Sequence, residues 1–389
     1  MASAPKRKGG RTKVGAGTAR GPKAQSYPNR RDSGRSDAVS PGDAALVGAV
    51  ESWFRGASRD LPWRRIRTPY TTLVSEAMLQ QTQVSRVVGR FEAFLERFPD
   101  LASLAAASEQ AVLAAWQGLG YYRRARNLHA AAKAVVERHA GEVPAEIAEL
   151  RALPGIGAYT AGAIASIGHG RTAAIVDTNV ARVLLRVAGR PGSTADPASM
   201  RWCWERAESL VRLAESPSRL NEGLMELGST VCTKASPRCG ECPLRERCVA
   251  RREGTVDRIP AAKPPVARQR VYFHAAVCVR DGRILLERRG EGGLWSGLWQ
   301  PPTVEGGRKL AAAEVEKRLG VGKLSPRGEF EHRTSHRDVT FTLFDARGGR
   351  AGAGREWVER GRLADFPLSN PMRRLAAEAL MPAPRRPRA

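Results

Sequence analysis

The stretch CTKASPRCGECPLRERC, residues 232–248, holds Cys232, Cys239, Cys242 and Cys248, four of the six cysteines in a chain of 389 residues. Thiolates gathered this closely act as ligands, because a soft metal centre takes several at once and a short loop can supply them. The spacing C-x6-C-x2-C-x5-C contains no His, so one pass of chain can wrap a single compact centre. This reads as a [4Fe-4S] cluster loop. Spacing alone also admits a four-cysteine zinc site or a pair of disulfides. Disulfides suit it least, since the first forty residues contain no apolar signal-peptide segment.

Upstream of the loop, from Asp43 to about residue 230, the pattern is helical. Ala/Leu/Val-rich segments run over Ala44 to Phe54, Thr71 to Gln81, Ser85 to Phe98, Ser108 to Gln117, Arg123 to His139 and Ala145 to Leu150, with Gly or Pro at their ends. Leu153-Pro154-Gly155-Ile156-Gly157-Ala158-Tyr159-Thr160 lies between two helical stretches. Gly155 and Gly157 allow a tight turn whose amides can approach a phosphate without Cβ obstruction. We read a helix-hairpin-helix; the plainer reading is an ordinary αα corner.

Downstream, Asp257 to Arg270 is rich in Pro and charge, and the period then shortens. Val271 to Val279 and Arg283 to Arg288 flank Asp281-Gly282, a type I′ hairpin signal, and Asp338 to Phe344 alternates again. One helix, Lys309 to Leu319, interrupts the strands. The expected fold is therefore multidomain. A basic tail (1–40), expected to be disordered, precedes an all-α domain carrying the cysteine loop (41–256); a linker (257–270), a smaller α+β domain (271–380) and a second basic tail (381–389) follow.

Formal charge is +25, and residues 1–40 carry ten Lys or Arg against Asp32 and Asp37, which leaves +17 on the remainder. That points to a polyanionic partner, nucleic acid before membrane, because no basic amphipathic helix stands out. No apolar run approaches the ~18 residues that span a bilayer, so a soluble intracellular protein is expected.

Two carboxylates stand out. Glu76 sits in Ser75-Glu76-Ala77-Met78-Leu79, within a helix otherwise rich in apolar residues, and Gln80, Gln81 and Gln83 follow it. A surface Glu is the plain reading, but clustered amides suit contact with base edges. Asp177, in Val176-Asp177-Thr178-Asn179-Val180, opens an amphipathic helix and is at least a helix cap. Two carboxyls can cleave an N-glycosidic bond if one, protonated, gives its proton to the leaving base and the other stabilises the oxocarbenium ion.

Collectively these residues resemble the adenine DNA glycosylase family of the helix-hairpin-helix superfamily, over residues 43 to about 370. The resemblance rests on Leu61-Pro62-Trp63-Arg64, residues 75–84, Gly118-Leu119-Gly120-Tyr121-Tyr122, residues 153–163 and 176–182, and the four cysteines. It implies a [4Fe-4S] cluster rather than zinc. It also implies a monofunctional enzyme, monomeric and free of membrane, that acts in base excision repair on double-stranded DNA. Its substrate would be adenine mispaired with 8-oxoguanine or guanine, flipped out of the duplex. Such an enzyme would work with the nucleoid in a bacterium, or in the nucleus or mitochondrion of a eukaryote. By motif, Glu76 matches the acid that protonates adenine N7, and Asp177 matches the carboxylate at the sugar C1′. Tyr159 and Asn179 match residues that position them, and Gln81 and Tyr121 match residues that probe or wedge the duplex beside the opposing base. Gly155 and Gly157 fall in the backbone-binding hairpin, and Lys234 and Arg238 within the cysteine loop are expected phosphate contacts.

The endonuclease III-like glycosylase/lyases, a rival reading, carry a Lys where this chain has Tyr159 and lack the second domain. A non-enzymatic iron-sulfur DNA-binding protein is the other rival. Residues 271 to 380 resemble the Nudix-like module with which adenine glycosylases read 8-oxoguanine. Hydrolytic Nudix boxes need an R-E-x-x-E-E run, and the corresponding Ala313-Glu314-Val315-Glu316-Lys317-Arg318-Leu319 does not supply it. The family's Phe-Ser-His reading loop is Thr334-Ser335-His336 here, so Ser335 and His336 carry over while the aromatic ring does not.

Overall fold

The computed structural model describes residues 41–262, 267–352 and 354–381. The expected basic tails, residues 1–40 and all but Met381 of 381–389, and residues 263–266 of the expected linker lie outside these. Among the described residues no helix is long and apolar enough to cross a membrane.

The periodic segments fold as helices whose ends follow local chemistry. The segment expected over Thr71 to Gln81 is the helix Pro69–Leu79, begun by Pro69 at its first position and by a reciprocal Thr68/Thr71 capping box. It stops two residues short of Gln81 because that residue takes a left-handed φ of 55°. Helices between residues 69 and 163 pack around Phe91, Phe94, Leu113 and Trp116, all fully buried. Pro41–Ala57, Thr178–Val187, Pro197–Val211 and Pro217–Thr230 surround a second core containing Val50, Leu185, Leu210 and Leu227. Each such side chain contributes roughly 1.5–3 kcal/mol by leaving water. Gly228 lets two of these helices meet: a Cβ there would stand 2.7 Å from the Cβ of Asn179.

The second part is a mixed sheet of β1 (Gln269–Arg280), β2 (Arg283–Arg288), β3 (Trp299–Gln300), β4 (Thr303–Gly306), β5 (Leu324–Arg333), β6 (Arg337–Ala346) and β7 (Arg355–Glu359). Strands β1 and β6 run parallel in register from Gln269↔Arg337 to Cys278↔Ala346. β5 lies antiparallel to β6, β4 to β1, and β2 pairs with the end of β1, with β3 and with β7. Asp281 and Gly282 have φ of 51° and 71°, both positive as the type I′ turn requires. The single helix expected here, Lys309 to Leu319, begins at Ala312, and a second helix, Asn370–Ala379, joins it.

The strand β1 begins inside the stretch expected as linker, and the first residues of that stretch pack on the helices. Ile259 is buried, its carbonyl accepts from Arg186 Nε at 2.7 Å, and the Ala261 amide donates to the Gly192 carbonyl at 2.7 Å.

Candidate active site

Glu76 and Asp177 enter from different cores, Glu76 from the Pro69–Leu79 helix and Asp177 from the start of Thr178–Val187. Glu76 is 5% exposed, so the surface reading of this residue does not hold, and its Oε2 has no hydrogen-bond partner among the described residues. Burial pushes its pKa up to about 7; the Tyr159 hydroxyl acts against that rise, while the charges of Asp177 and Glu222 add to it. The acid is thus half-protonated near neutrality.

Asp177 is a cap and more than a cap. Its Oδ1 accepts from the Asn179 and Val180 amides at 2.8 and 2.7 Å, and its Oδ2 accepts from Asn179 Nδ2 at 2.8 Å. Burial raises its pKa, and these three bonds and the Arg182 charge oppose the rise. The helix N-terminus therefore favours the anion here, whereas nothing comparable serves Glu76. The Tyr159 phenol is held well above its ordinary range by burial and by the charges of Glu76 and Asp177, which keeps it a proton donor. Its hydroxyl donates to Met225 Sδ at 3.5 Å.

Behind Asp177 the network continues into the cysteine loop. Asn179 Oδ1 accepts from Arg182 Nη2 at 2.8 Å, and Arg182 also donates to the carbonyls of Gly228 and Cys232, at 2.6 and 2.8 Å. One turn on, the buried Arg186 donates to the Thr233 carbonyl at 2.7 Å and to Cys232 Sγ at 3.4 Å. Neither arginine was assigned from sequence. The available signal was two Arg four apart inside the apolar helix TNVARVLLRV, where a solvated charge would be out of place.

Cys232, Cys239, Cys242 and Cys248 all line one cavity with Arg186, Leu227 and Val231, and none is in a disulfide. Burial pushes the Cys242 thiol up to about 11, and the charges of the other three add to it.

Two further acids escaped the sequence reading. Glu222 and Glu226, buried one turn apart on Pro217–Thr230, are held by arginines: Arg64 donates to them at 3.1 and 2.9 Å, Arg59 reaches Glu226 at 2.6 Å, and Arg67 lies 3.1 Å from Glu222. Arg64 belongs to the quoted Leu61-Pro62-Trp63-Arg64 motif, and its role is visible only once the fold brings the acids to it.

Gln81 and Tyr121 sit at exposed turn tips, both with left-handed φ, 55° and 46°. For non-glycines this is costly backbone, kept where the surroundings over-determine it. The surroundings are supplied by Arg124. Its buried guanidinium donates to the carbonyls of Ala77, Met78, Leu119 and Gly120 and to Thr82 Oγ1, at 2.7–3.1 Å, tying the two tips together. The Tyr121 and Ser335 hydroxyls are hydrogen-bonded across the two parts of the chain. Ser335 and His336 are exposed on the β5–β6 turn, which the Thr334 hydroxyl closes by accepting from the Arg337 amide at 3.0 Å. Thr334, the departure from the family loop, thus serves the turn.

In the hairpin, Gly155 has φ +75° and a Cβ there would collide with Asn127, while Gly157 caps Ala158–Ala163. Lys234 is exposed. Arg238 is exposed but engaged, with Glu241 at 2.8 Å and the Thr230 carbonyl at 2.9 Å.

Comparison with known proteins matches residues 74–209 to the HhH-GPD superfamily of base excision DNA repair proteins and residues 274–378 to the NUDIX domain. Relatives named adenine DNA glycosylase include the human protein, 33% identical over 77% of this chain and 66% of its own length. The mouse protein is 32% identical over 83% of this chain and 76% of its own. That of Mycolicibacterium smegmatis is 46% identical over 53% of this chain and 71% of its own.

Proposed function

The chain belongs to the adenine DNA glycosylase family, and from that membership we propose that it is a monofunctional, monomeric enzyme removing adenine opposite 8-oxoguanine or guanine in double-stranded DNA. The observation that carries this reading is the contrast between two carboxyls: Glu76, buried, raised to about 7 and with no partner at Oε2 among the described residues, and Asp177, half-buried and held by three hydrogen bonds at a helix N-terminus. Groups whose surroundings separate their proton affinities take opposite roles.

With the adenosine flipped out of the duplex, the Glu76 carboxyl gives its proton to adenine N7. The electron pair of the C1′–N9 bond passes into the base as that bond breaks. The Asp177 carboxylate stabilises the cation left at C1′, and water then adds there, its released proton returning an acid to the site. Tyr159, kept protonated, lies against this pair and has no amine to attack the sugar. Gln81 and Tyr121, on rigid tips, fill the space left in the stack. The Ser335 hydroxyl accepts from the N7 hydrogen that 8-oxoguanine has and guanine lacks, with His336 on the adjoining backbone. Catalysis thus belongs to residues 41–256 and reading of the opposite base to 271–380. The hairpin at Gly155 and Gly157 and the exposed Lys234 meet phosphates; Arg238 does so only by sharing its Glu241 partner.

Cys232, Cys239, Cys242 and Cys248 would hold a [4Fe-4S] cluster. The residues fit: four thiols face one cavity, their charges disfavour one another, and Arg186 donates to the Cys232 sulfur. Such a cluster supplies a rigid tie between four points of the loop and a one-electron redox centre. Purified protein should be coloured and carry about four irons with acid-labile sulfide; one zinc per chain would overturn the assignment.

The activity is tested with a duplex bearing one adenine opposite 8-oxoguanine. Strand cleavage only after alkali is the monofunctional result, and cleavage without alkali or no adenine release would refute it. Tyr159→Lys should place an amine beside C1′ and yield a borohydride-trapped protein–DNA adduct absent from the parent. If the variant does not trap, Tyr159 does not face the sugar.

A further inference from the structure

We propose that Gln117 and Tyr122 are positioning residues for opposite-base specificity: they dock the sheet part of the chain on the helical part so that Ser335 is held against Tyr121. This rests on the proposed reading of 8-oxoguanine by Ser335.

The docking is built from buried polar contacts. Gln117, 6% exposed, donates through Nε2 to the carbonyls of Ala364 and Phe366, at 3.0 and 2.9 Å, using both amide hydrogens. Tyr122, equally buried, donates its hydroxyl to the Leu368 carbonyl at 2.8 Å. The carbonyls of Phe366 and Leu368 thus face the helices, while the one between them, of Pro367, turns away and accepts from the Trp299 amide at 2.8 Å. Alternation of this kind belongs to extended chain, and it leaves those carbonyls no water once buried. Beside them Leu298, from the sheet part, is fully buried in the first helical core, and Trp299 Nε1 donates to Gln110 Oε1 at 3.1 Å. The apolar contact supplies attraction without direction; the Gln117 and Tyr122 bonds fix which carbonyls meet which donors.

The same short segment governs the reader. Gln117 and Tyr122 point into the junction, and Tyr121, between them, meets Ser335. The Ser335 turn cannot drift alone: Thr334 closes it, and the His336 carbonyl accepts from the Gln269 amide at 3.0 Å, joining the tip to β1 and β6. A shift at residues 364–368 therefore moves Ser335 relative to Tyr121 while leaving Glu76 and Asp177, on other helices, in place.

The test uses full-length Gln117→Met, which keeps the side-chain volume and removes both donors, and Tyr122→Phe, which removes one oxygen. Single-turnover adenine release is measured opposite 8-oxoguanine and opposite guanine, in each variant with and without Ser335→Ala. The preference for 8-oxoguanine should fall by roughly tenfold in Gln117→Met, the effect of losing one base contact, and by less in Tyr122→Phe. The rate opposite guanine should stay within about twofold of the parent's. Ser335→Ala should cost the parent its preference yet add little in the Gln117→Met background. If both docking variants keep the parent's preference while Ser335→Ala loses it, the reading of Ser335 stands and this proposal fails. Equal losses opposite both bases would also overturn it, as general destabilisation. If the parent shows no preference, or keeps it in Ser335→Ala, the reading by Ser335 itself is wrong and the docking proposal falls with it.

Discussion

Glu76→Gln is expected to abolish adenine release while leaving affinity for the mispair intact. The amide fills the same pocket, but it has no acidic proton, and general acid catalysis contributes roughly 10²- to 10⁴-fold, or about 3–5 kcal/mol of barrier. The parent's own pH profile should report the same group. Glu76 is raised from an ordinary value of 4.5 to about 7, so its proton is present below that pH and is lost as pH rises through it. Single-turnover rates should therefore fall about tenfold per pH unit on the alkaline side. The linkage has a definite sign. A carboxyl whose pKa is higher folded than unfolded favours the fold most below the unfolded value, and that contribution disappears as pH rises from 4.5 through 7. Gln does not titrate, so urea denaturation above pH 8 should find the variant more stable than the parent by a few kcal/mol, roughly 3 at most. A variant that turns over at near the parental rate would remove Glu76 from the mechanism.

Why Glu76 could be picked out from sequence, and Glu222 could not, shows where sequence reading stops. Glu76 interrupts an apolar helix, and a charge there has to be buried or functional. Glu222 and Glu226 lie in PSRLNEGLMELGST, whose polar and apolar residues are mixed enough to pass for a half-exposed surface helix. Their partners Arg59, Arg64 and Arg67 are about 160 residues away, and only packing of the first helices on Pro217–Thr230 brings the charges together. Asp177 was legible twice over, as a helix start and by its motif, because capping is a local event. In the sheet, β1 and β2 carry apolar runs and β6 alternates. β5, reading LSPRGEFEHR, contains Pro, Gly and charge along an exposed face, and β3 and β4 are too short for any period to show. Gln117 looked like the last polar residue of a helix. Its significance depends on carbonyls some 250 positions later, which no local pattern encodes.

Asp177→Asn should be as damaging as loss of Glu76, and it separates two explanations of the same residue. If Asp177 were only a cap, the change would be almost silent, because Asn caps helices about as well as Asp and its Oδ1 can still accept from the Asn179 and Val180 amides. The catalytic role predicts a rate loss of about 10²- to 10³-fold, since a neutral amide cannot stabilise positive charge growing at C1′. The thermal midpoint should meanwhile fall by only the few degrees that one lost hydrogen bond costs. The second oxygen adds a further consequence. Oδ2 accepts from Asn179 Nδ2, whose Oδ1 in turn accepts from Arg182. Replacing that oxygen with an NH2 sets donor against donor, and turning Asn179 over to relieve the clash would point its own NH2 at the Arg182 guanidinium. Either arrangement strands a hydrogen bond on the path to the Cys232 carbonyl, so the variant should also hold the proposed cluster less firmly when challenged with a chelator. Conservation of both rate and midpoint would return Asp177 to its cap. Loss of rate by about 10²-fold or more with the midpoint down by only those few degrees, as roughly one hydrogen bond costs, would identify the carboxylate charge, rather than the fold it caps, as what the reaction needs.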